Sequence, residues 1–196
     1  MRRLRTAVLV TATPLALALV GLFHPTGLNP STAHMWATMH IWLLPVFPLL
    51  TLGLIVPLWQ RPTMSVSGVA TVVAWLGGAV FAAAYTGLDA VAGIGAGTVQ
   101  LHAAPGQDVG PSVAALFQTA DSLGHAAVQA LAVAVVAASV ALAIRSGPWV
   151  LAGTAVLLVS CYSFYDSHIF YPRGVLTMLG LAAGFALLAL PTTRTR

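Results

Sequence analysis

Six long stretches of this chain are almost free of charge. They run roughly over 6–23, 38–59, 66–87, 122–144, 149–167 and 174–190, and Asp166 is the one formally charged residue inside them. A helix needs about 20 mainly apolar residues to cross a hydrocarbon core of about 30 Å. Six such stretches use most of a 196-residue chain. The expected fold is therefore all-α: a polytopic integral membrane protein built as a six-transmembrane-helix bundle, forming one domain over 1–196. The lipid bilayer is its first partner.

Composition agrees. The chain is 59% apolar and 6% charged, where a soluble domain carries about 25% charged residues. That excludes a soluble globular enzyme and a nucleic-acid binder. All eight cations are Arg and all four anions are Asp, with no Lys or Glu. A Walker phosphate loop and a Schiff-base enzyme need Lys, and an HExxH zinc protease needs Glu, so these chemistries are excluded too. The single Cys161 has no intrachain disulfide partner and reads as a small hydrophobe. Arg without Lys, with abundant Ala, Gly and Val, fits a GC-rich bacterial genome and hence a bacterial inner membrane.

Met1-Arg2-Arg3-Leu4-Arg5 followed by an apolar run has the outline of a secretory signal. The run to Phe23 is long for one and no small-x-small cleavage site follows, so it is read as a retained helix. Cytoplasmic loops carry an excess of Arg and Lys. With the N-terminus inside, Arg2, Arg3, Arg5, Arg61, Arg145, Arg194 and Arg196 all fall in the cytoplasm and only Arg173 outside. Both termini are then cytoplasmic. Trp59 and Trp149 fit the inner interface, and Trp36 and Trp42 the outer. Pro45, Pro48 and Pro57 predict a kinked second helix. Gly77-Gly78 and the pair Gly180 and Gly184 predict close helix packing within the bundle rather than a dimer face. The glycine run Gly93-Ile94-Gly95-Ala96-Gly97 reads as a flexible turn in an outer loop of about two dozen residues, into which helices three and four extend.

The orientation rests on Arg alone, yet it gathers the other ionisable groups. Asp89, Asp108, Asp121 and Asp166, and His24, His34, His40, His102, His125 and His168, all fall on or near the outer side. Gln118, Asp121, His125 and Gln129 are spaced three, four and four apart, one polar stripe on helix four. Such a stripe should face the bundle interior or a wet cavity. His34 and His40 cannot both point inward, and His40 lies deeper. Tyr85 and Asp89 share a face at the end of helix three. Tyr162, Tyr165, Asp166 and His168 close helix five. The expected metal ligands are thus His40, Asp121, His125, Asp166 and His168, around a pocket that includes Tyr85, Asp89, Gln129 and Tyr162. Imidazole and carboxylate suit Zn, imidazole also suits Cu, and haem is a weaker third choice. His24 and His102 read as plain loop residues. The blocks His24-Pro25-Thr26-Gly27-Leu28 and Ser167-His168-Ile169-Phe170-Tyr171-Pro172-Arg173-Gly174 are distinctive but suggest no chemistry.

Three functions fit this pattern. One is binding of a divalent metal or small solute for uptake or sensing. Transport would need a partner membrane subunit or a homo-oligomer, since the inner half offers only Thr, Ser and Gln for a relay. In helix count and size the chain resembles the substrate-binding subunits of energy-coupling-factor importers, a resemblance that carries over no residue. The second is a zinc-dependent membrane hydrolase, with His40, His125 and His168 on the metal and Asp121 or Asp166 as base. It is similar in residue types to the membrane ceramidase-like hydrolases, but lacks their HxxxH pair. The third is an accessory or assembly subunit. On the first reading, His125→Ala or Asp121→Ala is expected to lower ligand retention.

Overall fold

The computed structural model describes the chain from Arg2 to Leu190, so Arg194 and Arg196 lie outside the described residues. Every regular element among those residues is helical. In order they are α1 (Arg2–Gly21), α2 (Ala33–Leu43), a 3₁₀ turn (Phe47–Thr51), α3 (Leu52–Ile55), α4 (Val66–Leu88), a π-helical segment (Asp89–Gly95), α5 (Ala96–Leu101), α6 (Gly110–Ser146), α7 (Val150–Ser167) and α8 (Arg173–Ala189). Four stretches are long and apolar enough to cross a membrane: Leu4–Gly21, Val66–Leu101, Gly110–Ser146 and Val150–Ser167. The pair Ala33–Leu43 and Phe47–Ile55 makes a fifth if taken as one broken span. At 17 residues, α8 is shorter and covers about 26 Å at 1.5 Å per residue.

The proline-rich second stretch breaks as its chemistry requires. Proline has no N–H to donate and its ring clashes with the preceding turn. The backbone leaves α2 before Pro45, tightens into the 3₁₀ turn at Pro48 and continues into α3, with the segment Phe47–Ile55 bent 43° from α2.

The glycine run differs from the sequence expectation. Residues 93–97 are helical, forming the end of the π segment and the start of α5, and the true loop is only 102–109. Glycine signals a turn in water, but it also lets another backbone approach a helix closely. That second role operates here. A Cβ on Gly97 would lie 3.0 Å from both the Ala37 Cβ and the Trp36 ring, and one on Gly93 would collide with the His40 ring. The run is therefore a seat for α2.

Elsewhere small residues also set the packing. A Cβ at Gly77 would meet the Ala130 carbonyl at 2.9 Å, which brings α4 against α6. One at Gly153 would meet the Gly184 carbonyl at 2.9 Å, joining α7 to α8, and Gly180 faces Ser160 of α7. The glycines of α8 thus serve contacts within the bundle. At one end Arg145 donates to Ser67 Oγ (2.6 Å) and Thr71 Oγ1 (2.8 Å), fastening the end of α6 to the start of α4. The opposite end collects the segment after α1, the body of α2, the π segment and the turn after α7.

Candidate metal centre

Three imidazoles meet at that second end. His24 comes from the segment after α1, His40 from α2 and His168 from the residue that terminates α7. One ligating nitrogen from each lies within 4.8 Å of the other two. The backbone at His168 has φ of 43°, a left-handed conformation that costs a non-glycine residue energy. It ends α7 and turns the imidazole into the bundle. In the first turn of α8, Gly174 packs without a Cβ against Ile169, holding the turn between α7 and α8 tight.

The hydrogen bonds decide what these rings offer. His24 Nδ1 lies 2.8 Å from the Pro25 carbonyl, and His40 Nδ1 lies 2.7 Å from the Trp36 carbonyl. A carbonyl only accepts, so both Nδ1 atoms carry the proton. In the neutral rings both Nε2 atoms are then bare lone pairs, yet they face each other at 3.4 Å. Two lone pairs at that distance repel unless a proton or a metal ion lies between them. Two nitrogens each about 2.0–2.1 Å from a tetrahedral zinc ion sit about 3.4 Å apart. His168 Nδ1 is 2.7 Å from the Tyr85 hydroxyl, and its Nε2 is buried with no hydrogen-bond partner. Burial pushes His24 down to about 4, the neighbouring His40 adding to the effect and the Pro25 carbonyl opposing it. Burial, with His40 and His24 close by, also holds His168 well below the usual histidine range. Both rings therefore present lone pairs, not charge, near neutral pH.

Asp89 is the acidic residue beside the triad. It opens the π segment, is fully buried, and its Oδ1 lies 3.8 Å from His40 Nε2. Neither carboxylate oxygen has a hydrogen-bond partner. A carboxylate buried without donors is costly, and a metal ion beside His40 would remove that cost. A π-bulge places Asp89 here, as such bulges often do at functional sites. Aromatic rings wall the cluster, with Phe170 4.6 Å and Trp36 5.1 Å from His24, and Phe47 5.3 Å from His168, centre to centre. Each imidazole's second nitrogen is held by a carbonyl or hydroxyl, the pattern that fixes ring orientation at metal sites.

The expected site residues divide into two groups. His40 and His168 enter the triad, with Tyr85 on His168 and Asp89 beside His40. Asp121, His125 and Asp166 do not reach it. They line a neighbouring cavity of about 330 Å³ that also touches Tyr85 and His168. There His125 Nε2 is 3.7 Å from Asp166 Oδ1, and the His125 ring stacks on Tyr165 at 4.0 Å. Gln129 reaches the Tyr165 hydroxyl at 3.5 Å. Tyr162 is 81% exposed and does not line this cavity. His34 and His102 are exposed.

Two expectations are corrected. His24, read as a plain loop residue, is 5% exposed and belongs to the triad. Trp36, read as an interface anchor, is buried and donates its indole N–H to the Ala92 carbonyl at 3.0 Å, tying α2 to the π segment. The signal for His24 was present in the distinctive block His24–Leu28, whose counterpart Ser167–Gly174 contains His168. No family model, curated protein or solved structure matches this chain.

Proposed function

We propose that this is a membrane-embedded metal-binding protein whose His24, His40 and His168 hold one divalent ion of the zinc or copper class, with Asp89 as the compensating anion. The single observation carrying this reading is the pair of Nε2 lone pairs at 3.4 Å, each fixed by an Nδ1 that donates to a carbonyl. Three imidazoles and a carboxylate are the donor set such ions prefer. A six-span threading with both termini in the cytoplasm puts the site at the outer side of a bacterial inner membrane. Uptake or sensing of the metal, alone or with a partner subunit, is the use that fits that side.

A second reading, metal-dependent hydrolysis, draws support from the cavity that His168 lines, which would give water and substrate a space beside the triad. Turnover of a lipid amide or ester by the zinc-loaded protein separates it from binding alone.

The test is elemental analysis of protein purified in mild detergent, before and after incubation with ZnCl₂ and gel filtration. About one metal per chain is expected, as one closed site requires. Protein that neither carries metal nor retains it after loading overturns the reading.

A further inference from the structure

The buried triad needs a way in, and the cavities beside it are the place to look. Two cavities meet beside it. The larger, of about 330 Å³, is bordered by His125, Asp166 and Asp121. The smaller, of about 90 Å³, is bordered by His40 and Trp36. Both touch Asp121, Leu88, Phe170 and His168. His168 lines both spaces, and its Nε2 is buried without a hydrogen-bond partner. At the outer mouth the Asp166 and His125 side chains are 60% and 39% exposed, so they face solvent while their ring and carboxylate lie 3.7 Å apart. Of the four acidic residues in the whole chain, Asp166 and Asp121 line this passage and Asp89 stands at its end beside His40. Arg173, the nearest cation in sequence to Asp166, donates to Ser163 Oγ.

We propose that this passage is a loading route, in which His125 and Asp166 capture a hydrated divalent cation at the mouth and Asp121 hands it to the His24–His40–His168 triad. The inference rests on the metal-binding reading. Its chemistry is ligand exchange only. The ion arrives hydrated, takes imidazole and carboxylate in place of some waters, and is drawn inward by a site with more nitrogen donors. Negative charge in a cleft with low-dielectric walls raises the local cation concentration and the capture rate by about 10–1,000-fold, an effect that salt weakens. A route that speeds entry speeds exit equally, so it changes rates and not the final affinity.

Stopped-flow mixing of metal-free protein with CoCl₂ tests this, because four-coordinate cobalt(II) develops visible ligand-field bands as the triad fills. Asp166→Asn combined with Asp121→Asn is expected to slow the rise by at least about tenfold and to flatten its dependence on ionic strength. The final absorbance should equal that of the starting protein, and release to a chelator should slow in proportion. Tyr162→Phe, off the passage, serves as the control. A double variant that loads at the original rate overturns the route. So does a drop in stoichiometry from two ions to one, which would make the mouth an independent site. If the unaltered protein develops no cobalt bands at all, the metal-binding reading fails, and that outcome is distinct from the other two.

Discussion

His24→Ala is expected to abolish metal retention, taking the bound ion from one per chain to near zero, while His125→Ala leaves the equilibrium content intact. This reverses the ranking that helical periodicity alone suggests. Loss of an outer hydrogen-bonding partner costs a metal site about 10–100-fold in affinity. Loss of a ligating nitrogen costs more, because two imidazoles cannot fill a tetrahedral shell. His24 suits the experiment because it lies in the segment after α1, outside every helix, so alanine there breaks no helical hydrogen bond. His168→Ala should lose the metal as well, although its unusual backbone makes it a less clean comparison. A competing arrangement needs no metal: an imidazolium at His40 would donate Nε2–H toward His24 or Asp89. In that case the purified protein carries no ion, and His24→Ala changes stability without changing metal content. Elemental analysis of the two variants beside the unaltered chain decides between them.

Gly93→Ala is the second large effect. The added methyl falls on the Cβ, Cγ and Cδ2 atoms of His40, so either the imidazole tips out of the triad or α2 withdraws from the π segment. Overpacking of this kind costs about 1–3 kcal/mol. Here the contact is also the floor under a ligand, so the melting midpoint in detergent and the metal content should fall together. Gly27→Ala provides the control, since a Cβ there meets nothing within 4 Å, and both quantities should remain unchanged. If Gly93→Ala melts lower but keeps its full metal complement, the glycine seat is a packing device alone.

These two residues mark where sequence reasoning runs out. The break after α2 was legible because proline acts through its own missing N–H, whatever surrounds it. The stripe Asp121–His125 was legible because helical spacing places its members on one face, and they do share a cavity wall. Asp89 and Tyr85 were legible for the same reason. His24 was not, because a loop has no period from which a direction can be read. Its role depends on the turn at Pro25 and on α2 folding back across it. The glycine run reads as a turn in sequence because one residue type serves two opposite purposes. Only the arrival of His40 and Trp36 over Gly93 and Gly97 distinguishes a seat from a turn. The spans show the same limit: α8 is mostly apolar yet only 17 residues long, so composition alone does not set its depth.

X-ray absorption at the metal K-edge, on zinc-loaded protein in detergent, reaches the triad itself. The expected spectrum has a first shell of nitrogen and oxygen at about 2.0–2.1 Å, with the outer-shell scattering of three imidazole rings, and His24→Ala retains too little zinc to give it. A first shell without imidazole scattering, or one that His24→Ala leaves unchanged, would contradict a metal held by His24, His40 and His168.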